Sequence, residues 1–446
     1  MPTSRSAAVR AAACANPYAA FACALVLPVA LAACSAQDTP TAATPDEAGR
    51  DWSLHEWALP TAAARAAQPD LVTAGDDLLL SWIEPEGDGH ALRFARHGAA
   101  GWGAPRDIAR GDDWFVNWAD TPHLLATDDG ALWAHWLQKS AAATYAYDVA
   151  LARSDDGGAT WSAPVIVNDD GTPTEHGFAS LWAAGPDSIG IAWLDGRETI
   201  GGHGGHDAGG HGGGGAMTLR TLRLDASLGR HEETRLDAST CDCCQTATAR
   251  TADSLLLAYR DRTDKEIRDI AVVRHVGARW SAPRIVHADD WTMPACPVNG
   301  PALGARGNDV VVAWYTGAGG TPRVRAARSS DGGRTFGPAT DLDAGAAVLG
   351  RVDVAHDGDG AWVAWLREEA GAQSLRMVRL DGASATPGKA FDVAAVAGRG
   401  RGTGMPQLVT AGGRAHLVWT EVVDGGPRLR GAIVDTGSPH AGDARR

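Results

Sequence analysis

Cysteines supply the first spacing in this chain that suggests chemistry. Cys241, Cys243 and Cys244 stand in a C-x-C-C run, and Cys296 follows in a later loop. Cys241 and Cys296 each lie 18 residues before a recurring aromatic, Tyr259 and Trp314, so a repeat would set them at matching points of neighbouring units. Two readings stay open: disulfides clamping one unit to the next, as an oxidising compartment favours, or a thiolate site for a soft metal, helped by Met293 and nearby histidines. A second segment, GGHGGHDAGGHGGGGAM, carries His203, His206, Asp207, His211 and Met217 on a glycine chain. Imidazoles so spaced can wrap copper, nickel or zinc, which makes Cu or Zn the cofactor of that reading. The same composition also suits a glycine-rich insertion that binds nothing.

A third segment is dense in mixed charge: Tyr259, Arg260, Asp261, Arg262, Asp264, Glu266, Arg268 and Asp269. Asp195, Arg197 and Glu198 occupy the matching loop one unit earlier, and Arg351 with Asp353 enters a strand two units later. Arginine beside carboxylate can grip an anionic sugar or position an acid/base pair. It can equally neutralise itself in a solvated ion-pair network.

These segments need a scaffold, and the chain repeats one. A short apolar strand ending in an aromatic recurs at Trp82, Trp136, Trp193, Tyr259, Trp314, Trp365 and Trp419, at spacings of 51 to 66 residues. Each unit reads as an inner strand, a turn, the aromatic-ending strand, a loop, a third strand and a fourth opening near W-x-A-P. Four antiparallel strands in about 50 residues are a propeller blade, whereas a sandwich domain needs about 100. The fold class is therefore all-β, a seven-bladed β-propeller. The seventh unit stops after its third strand, while a lone segment, WSLHEWAL from Trp52, precedes the first; it is expected to supply the missing outer strand and remove an open edge. In such a ring the loops entering each inner strand and those leaving each second strand open on one face. The cysteine, histidine and arginine segments should therefore meet at one mouth.

Two turns carry a further pattern, S-x-D-x-G-x-T-W/F: Ser154, Asp156, Gly158, Thr160, Trp161, and Ser329, Asp331, Gly333, Thr335, Phe336. Worn copies follow His97 and His275. The carboxylate can accept backbone N–H bonds while glycine takes positive φ. With these turns the chain, from about residue 52 to 434, resembles the sialidase-like Asp-box (BNR repeat) propellers, and CDCCQTA, YRDRTDKEIRD and CPVNGPA resemble segments of bacterial sialidase-like lipoproteins. Sialidases themselves use six blades, which makes a six-bladed ring the alternative. The resemblance implies an exo-sialidase-like glycoside hydrolase, with Asp261, Glu266 or Asp195 as acid/base beside Tyr259, and Arg197, Arg260, Arg262, Arg268 and Arg351 holding an anionic ligand. The family's Arg-Ile-Pro segment is missing; Tyr259-Arg260-Asp261 follows a second strand where the family's copy begins an inner one.

The first residues bear on compartment. Arg5 and Arg10 precede an apolar run from Tyr18 to Ala33 that is too short for a confident membrane span. Leu31-Ala32-Ala33-Cys34 resembles a lipobox, which implies lipid attachment at Cys34, and Ser35 after it implies the outer membrane. The expected organisation is a signal peptide over 1–33, a polar tether over 34–50, the propeller over 51–434 and a polar tail over 435–446. The chain of 446 residues has a formal charge of −14, which argues against nucleic acid and polybasic membrane contact. The functional expectation is an exported lipoprotein that binds, and as an enzyme hydrolyses, a glycan or other anionic small ligand at the central face. The alternatives are a periplasmic metal-binding protein using the histidine loop and cysteine cluster, and an interaction scaffold without chemistry.

Overall fold

The computed structural model describes residues 44–45, 51–61, 65–200, 215–358, 360–382 and 387–435. Cys34 and the segment holding His203, His206 and His211 lie outside them. The described residues form a ring of seven antiparallel sheets. Blade 1 runs from the inner strand Ala67–Ala74 to Arg106–Gly111, blade 2 from Leu124–Ala126 to Val165–Ile166, and blade 3 from His176–Gly185 to Arg230–Asp237. Blade 4 spans Ala247–Arg250 to Arg284–Ile285, blade 5 Ala302–Arg306 to Thr340–Ala344, and blade 6 Val348–His356 to Phe391–Val396. Blade 7 holds Gln407–Ala411, Arg414–Val423 and Gly426–Asp435, and takes its fourth strand, Leu54–Glu56, from the other end of the chain. Leu54 pairs with Val434 and Glu56 with Ala432, as expected for a strand that closes the ring.

The core is divided among the blade interfaces. Leu132, Ala134 and Trp136 of the second strand of blade 2 pack on Leu79, Leu92 and Phe94 of blade 1. Trp133 and Leu137 of the same strand face Ile189, Ile191 and Trp193 of blade 3. Each second strand is thus covered on both faces, and for that reason it reads as a nearly continuous apolar run. The recurring ring fills the gap between sheets, and its indole N–H needs an acceptor. Trp82 donates to Glu84 at 3.0 Å, Trp193 to Asp195 at 2.7 Å and Trp419 to Glu421 at 3.3 Å, each two residues along its own strand.

Polar side chains stitch one blade to the next around the axis. Asp70 accepts from Leu124 N at 2.7 Å, Asp120 from Phe178 N at 2.7 Å and Gln245 from Gly300 N at 2.9 Å. Asn299 accepts from Arg351 N at 2.7 Å and Asp353 from Leu408 N at 2.6 Å. On the opposite face the turn after Ser154 is locked by Asp156, which accepts from Ala159 N, Thr160 N and the Thr160 hydroxyl. Gly158 there has φ +85°, and a Cβ on it would sit 2.2 Å from the Phe94 ring of blade 1, so backbone and packing both require glycine.

Ring closure rests on Trp57, which stacks on Trp102 of blade 1 at 4.9 Å between ring centres and meets His416 of blade 7 at 5.0 Å. Trp57→Ala is expected to cost about 3–5 kcal/mol, as for other buried aromatics. Glu56→Ala, which removes an exposed pair with Arg430, should cost less than about 1 kcal/mol. Urea unfolding of the two variants separates them; equal midpoints would contradict this account of closure.

Candidate functional site at the propeller mouth

The entry and exit loops do meet on one face. Blade 4 is zipped to its own entry loop, with Cys241 N donating to Arg260 O at 3.0 Å. The blade 5 entry loop is pinned by Asp269, whose carboxylate accepts from Asp290 N and Trp291 N. The blade 2 entry loop crosses the mouth. Ala119 O accepts from Gln245 of blade 4 at 2.7 Å, and Trp118 lies 4.6 Å from the Arg351 guanidinium of blade 6. Along the axis all seven inner strands line a cavity of about 290 Å³, with Asp70, His123, Ser180, Thr246, Asp353 and Gln407 among its polar walls. Burial pushes Asp353 up to about 7 there, with Asp70 adding to the shift against its backbone hydrogen bonds.

The sequence-derived arginines are brought to this face, but most of their donors are occupied; the Arg268 Nε is buried without a partner among the described residues. Arg260 is 1% exposed and donates to Asn299 O, Arg268 O and Tyr315 O while lying over Trp291. Arg351 donates to the Thr403 hydroxyl, Gly404 O and Gly400 O, and burial lowers its pKa to about 10. Arg268 holds Cys241 Sγ at 3.1 Å and Glu266 at 2.8 Å, and Arg262 holds Glu266 and Asp242. Arg197 forks onto Asp195 at 2.8 and 2.7 Å and reaches Glu233 at 3.0 Å. A guanidinium already saturated by backbone carbonyls or carboxylates has little left for a ligand.

The acids sort similarly. Asp195 is fully buried as the acceptor for Trp193 and Arg197, the same arrangement that Glu84 and Glu421 make for their tryptophans, and Glu266 is committed to two arginines. Tyr259 donates to Asp237, which leaves its hydroxyl engaged. Asp261 is half-buried; burial raises it to about 6, with Asp237 and Asp269 adding to the shift and the Arg262 amide opposing it.

Sequence reasoning missed a constellation at the junction of blades 2 and 3. The Tyr147 hydroxyl sits 2.8 Å from Glu175 and 3.2 Å from Asp120, with Phe115 stacked on its ring at 4.0 Å. One hydroxyl proton cannot satisfy two carboxylates, so the group is stable when an acid also carries a proton. Burial raises Asp120 to about 7, against its bond from Phe178 N, and raises Glu175 to about 8, with Asp120 and Asp242 adding to the shift. Glu175 is the half-buried member of the group. A signal for it existed: it lies 18 residues before Trp193, the offset that relates Cys241 and Cys296 to their aromatics.

Among the described residues, Cys241, Cys243, Cys244 and Cys296 form no disulfide. Cys241, Cys243 and Cys244 lie with their sulfurs within 4.8 Å of one another, and Cys243 contacts Cys296. Burial opposes the Cys241 thiolate, but hydrogen bonds from Cys243 and Cys244 and the charges of Arg268 and Arg260 outweigh it and lower the thiol well below its ordinary range.

A buried histidine anchors the side of the mouth. His176 Nε2 is 3.1 Å from Asp170 and 3.9 Å from Asp195, and Nδ1 is 3.4 Å from Asp148. Burial opposes its charge, yet these carboxylates raise it from 6.5 to about 9. Because the folded value lies above the unfolded one, this contribution is complete below about 6.5 and is lost as pH rises through about 9. Melting temperature should therefore fall between pH 7 and pH 9.5, and His176→Gln should flatten that fall; an unchanged slope in the variant would contradict it.

No family model and no curated protein matches the chain. Among solved structures it is similar to the polysaccharide lyase Uly1, with TM-score 0.51 and 7% identity over 84% of this chain and 91% of that one. The phage phi92 endosialidase gives TM-score 0.47 and 9% identity over 89% of this chain and 70% of that one. The NanB sialidase of Streptococcus pneumoniae gives 0.42 and 9%, over 80% and 83%. At such identities the likeness is one of fold, and by architecture the chain is a seven-bladed β-propeller with sialidases and an endosialidase among its structural neighbours.

Proposed function

We propose that this protein binds and processes a glycan at the mouth of the propeller, with Glu175 as the proton donor and Tyr147 and Asp120 as its partners. The observation that carries the reading is a tyrosine hydroxyl held between two desolvated carboxyl groups that titrate at about 7 and about 8. Perturbed acids paired in a cleft are the signature of acid/base work, and a carboxyl that keeps its proton at neutral pH can protonate a departing sugar oxygen. Asp261, at about 6, supplies a second titrating group on the same face. A fold shared with a polysaccharide lyase supports a glycan as substrate.

The chemistry follows from the groups. A carbohydrate leaving group departs more readily when its oxygen is protonated, whether water or the loss of a ring proton completes the reaction. Product analysis across sialosides and uronate-containing polysaccharides distinguishes the two, since elimination leaves an unsaturated, ultraviolet-absorbing sugar. The acid form is required, so kcat/KM should fall as pH rises through about 8. Glu175→Gln should lower kcat by about 10²–10⁴-fold and abolish that alkaline limb, and Tyr147→Phe should move the limb. Full activity in Glu175→Gln, or no binding of any tested glycan by either protein, would end the proposal.

The proposal extends to location: the propeller works outside the cytoplasm on a lipid anchor at Cys34. Cys34→Ala should move the protein from the membrane to the soluble fraction and abolish fatty-acid labelling. Unchanged partitioning and labelling would refute the anchor.

A further inference from the structure

Beyond the glycan reading, we propose that Cys241, Cys243 and Cys244 form a binding site for one thiophilic d¹⁰ ion, Cu(I) or Zn(II), with Cys296 as the thiol at its entrance. Three sulfurs lie within 4.8 Å of one another, and those of Cys241 and Cys244 are 3.3 Å apart. A metal–sulfur bond of about 2.3 Å gives a triangle or tetrahedron of sulfurs with edges of about 4 Å, which this cluster reaches with small side-chain movements. A disulfide joins sulfurs in pairs, whereas here three converge on one point. Thiolate is the ligand type that selects these ions over harder ones.

The surroundings fit an anionic thiolate complex. Three thiolates around Cu(I) carry a net charge of −2, as do four around Zn(II), and burying that charge is costly without counter-ions. Arg268 donates to Cys241 Sγ at 3.1 Å, and Arg260 adds its charge to the same sulfur. Access is graded. Cys296 is exposed, Cys243 is half-buried, and Cys241 and Cys244 are buried, so an ion meets the outer thiols first and settles among the inner ones. Rigid framing comes from the backbone, because Cys241 is tied to the Arg260 carbonyl. Arg260 is itself locked to the blade 5 entry loop through Asn299 O.

The test uses the full-length chain, reduced and kept free of oxygen, titrated with Cu(I) against a Cu(I) chelator and, separately, with Zn(II) or Co(II). The readout is thiolate-to-metal charge-transfer absorption, which histidine nitrogens cannot produce. We expect one ion per chain with that absorption and protection of the thiols from alkylation. Cys243→Ser should lose both while keeping the melting curve of the parent, and it avoids disturbing the buried contact of Cys241 with Arg268. If Cys296→Ser leaves Cu(I) binding intact, the ion is three-coordinate; if it abolishes Zn(II) binding, the ion is four-coordinate. Either result supports the site. Absence of charge-transfer absorption with every ion overturns it. So does protein isolated from its native compartment, without reductant, whose four cysteines are all paired as disulfides.

Discussion

The molecule depends on packing sheets face to face around an axis, so that every second strand loses solvent on both sides. That burial accounts for the long apolar runs and for the large ring at one repeated position. It also takes the indole N–H groups out of water, so that they call for acceptors inside the protein, although that of Trp136 has none among the described residues. The acids after Trp82, Trp193 and Trp419 answer that demand, and the side chains of Asp70, Asp120, Gln245, Asn299 and Asp353 answer a similar one for backbone amides at the blade junctions. Without such acceptors the entry loops would carry buried, unpaired N–H groups at the place where the loops must be held most firmly.

The same demand separates scaffolding from chemistry at the mouth. Arg260 and Arg351 are among the most deeply placed charges, yet their guanidinium groups serve backbone carbonyls of neighbouring blades and lie over Trp291 and Trp118. They act as bolts between loops. Asp120 has a double part: one oxygen holds the Phe178 amide of the next blade, and the other faces Tyr147. A junction residue has thereby become a neighbour of Glu175, and the desolvation that comes with the junction is what raises its pKa. The acid/base character of the site follows from the ring's own construction.

Much of this was legible in the residues. The number of blades followed from seven aromatic-ending strands at a regular period, and closure by the segment after Trp52 followed from a seventh unit one strand short. The convergence of the cysteine and arginine segments followed from loop order in a propeller, and their meeting within hydrogen-bonding range at Arg268 and Cys241 agrees with it. The acid after Trp193 was less legible, because a charged loop reads the same whether its partners are ligand, solvent or an indole. The pattern of tryptophan followed two residues later by an acid, present in three blades, was the available clue.

The sequence by itself determined periodicity, strand order, the closing strand and which loops share a face, because all of these depend on apolar spacing along the chain. Only the tertiary structure decided what each polar group on that face does. Tyr147 opens a strand while Asp120 and Glu175 come from two entry loops, and apart from the offset of Glu175 from Trp193 nothing in their spacing singles them out. Their chemistry is set by desolvation and by distances of about 3 Å across a blade junction, quantities that exist only once the ring has closed.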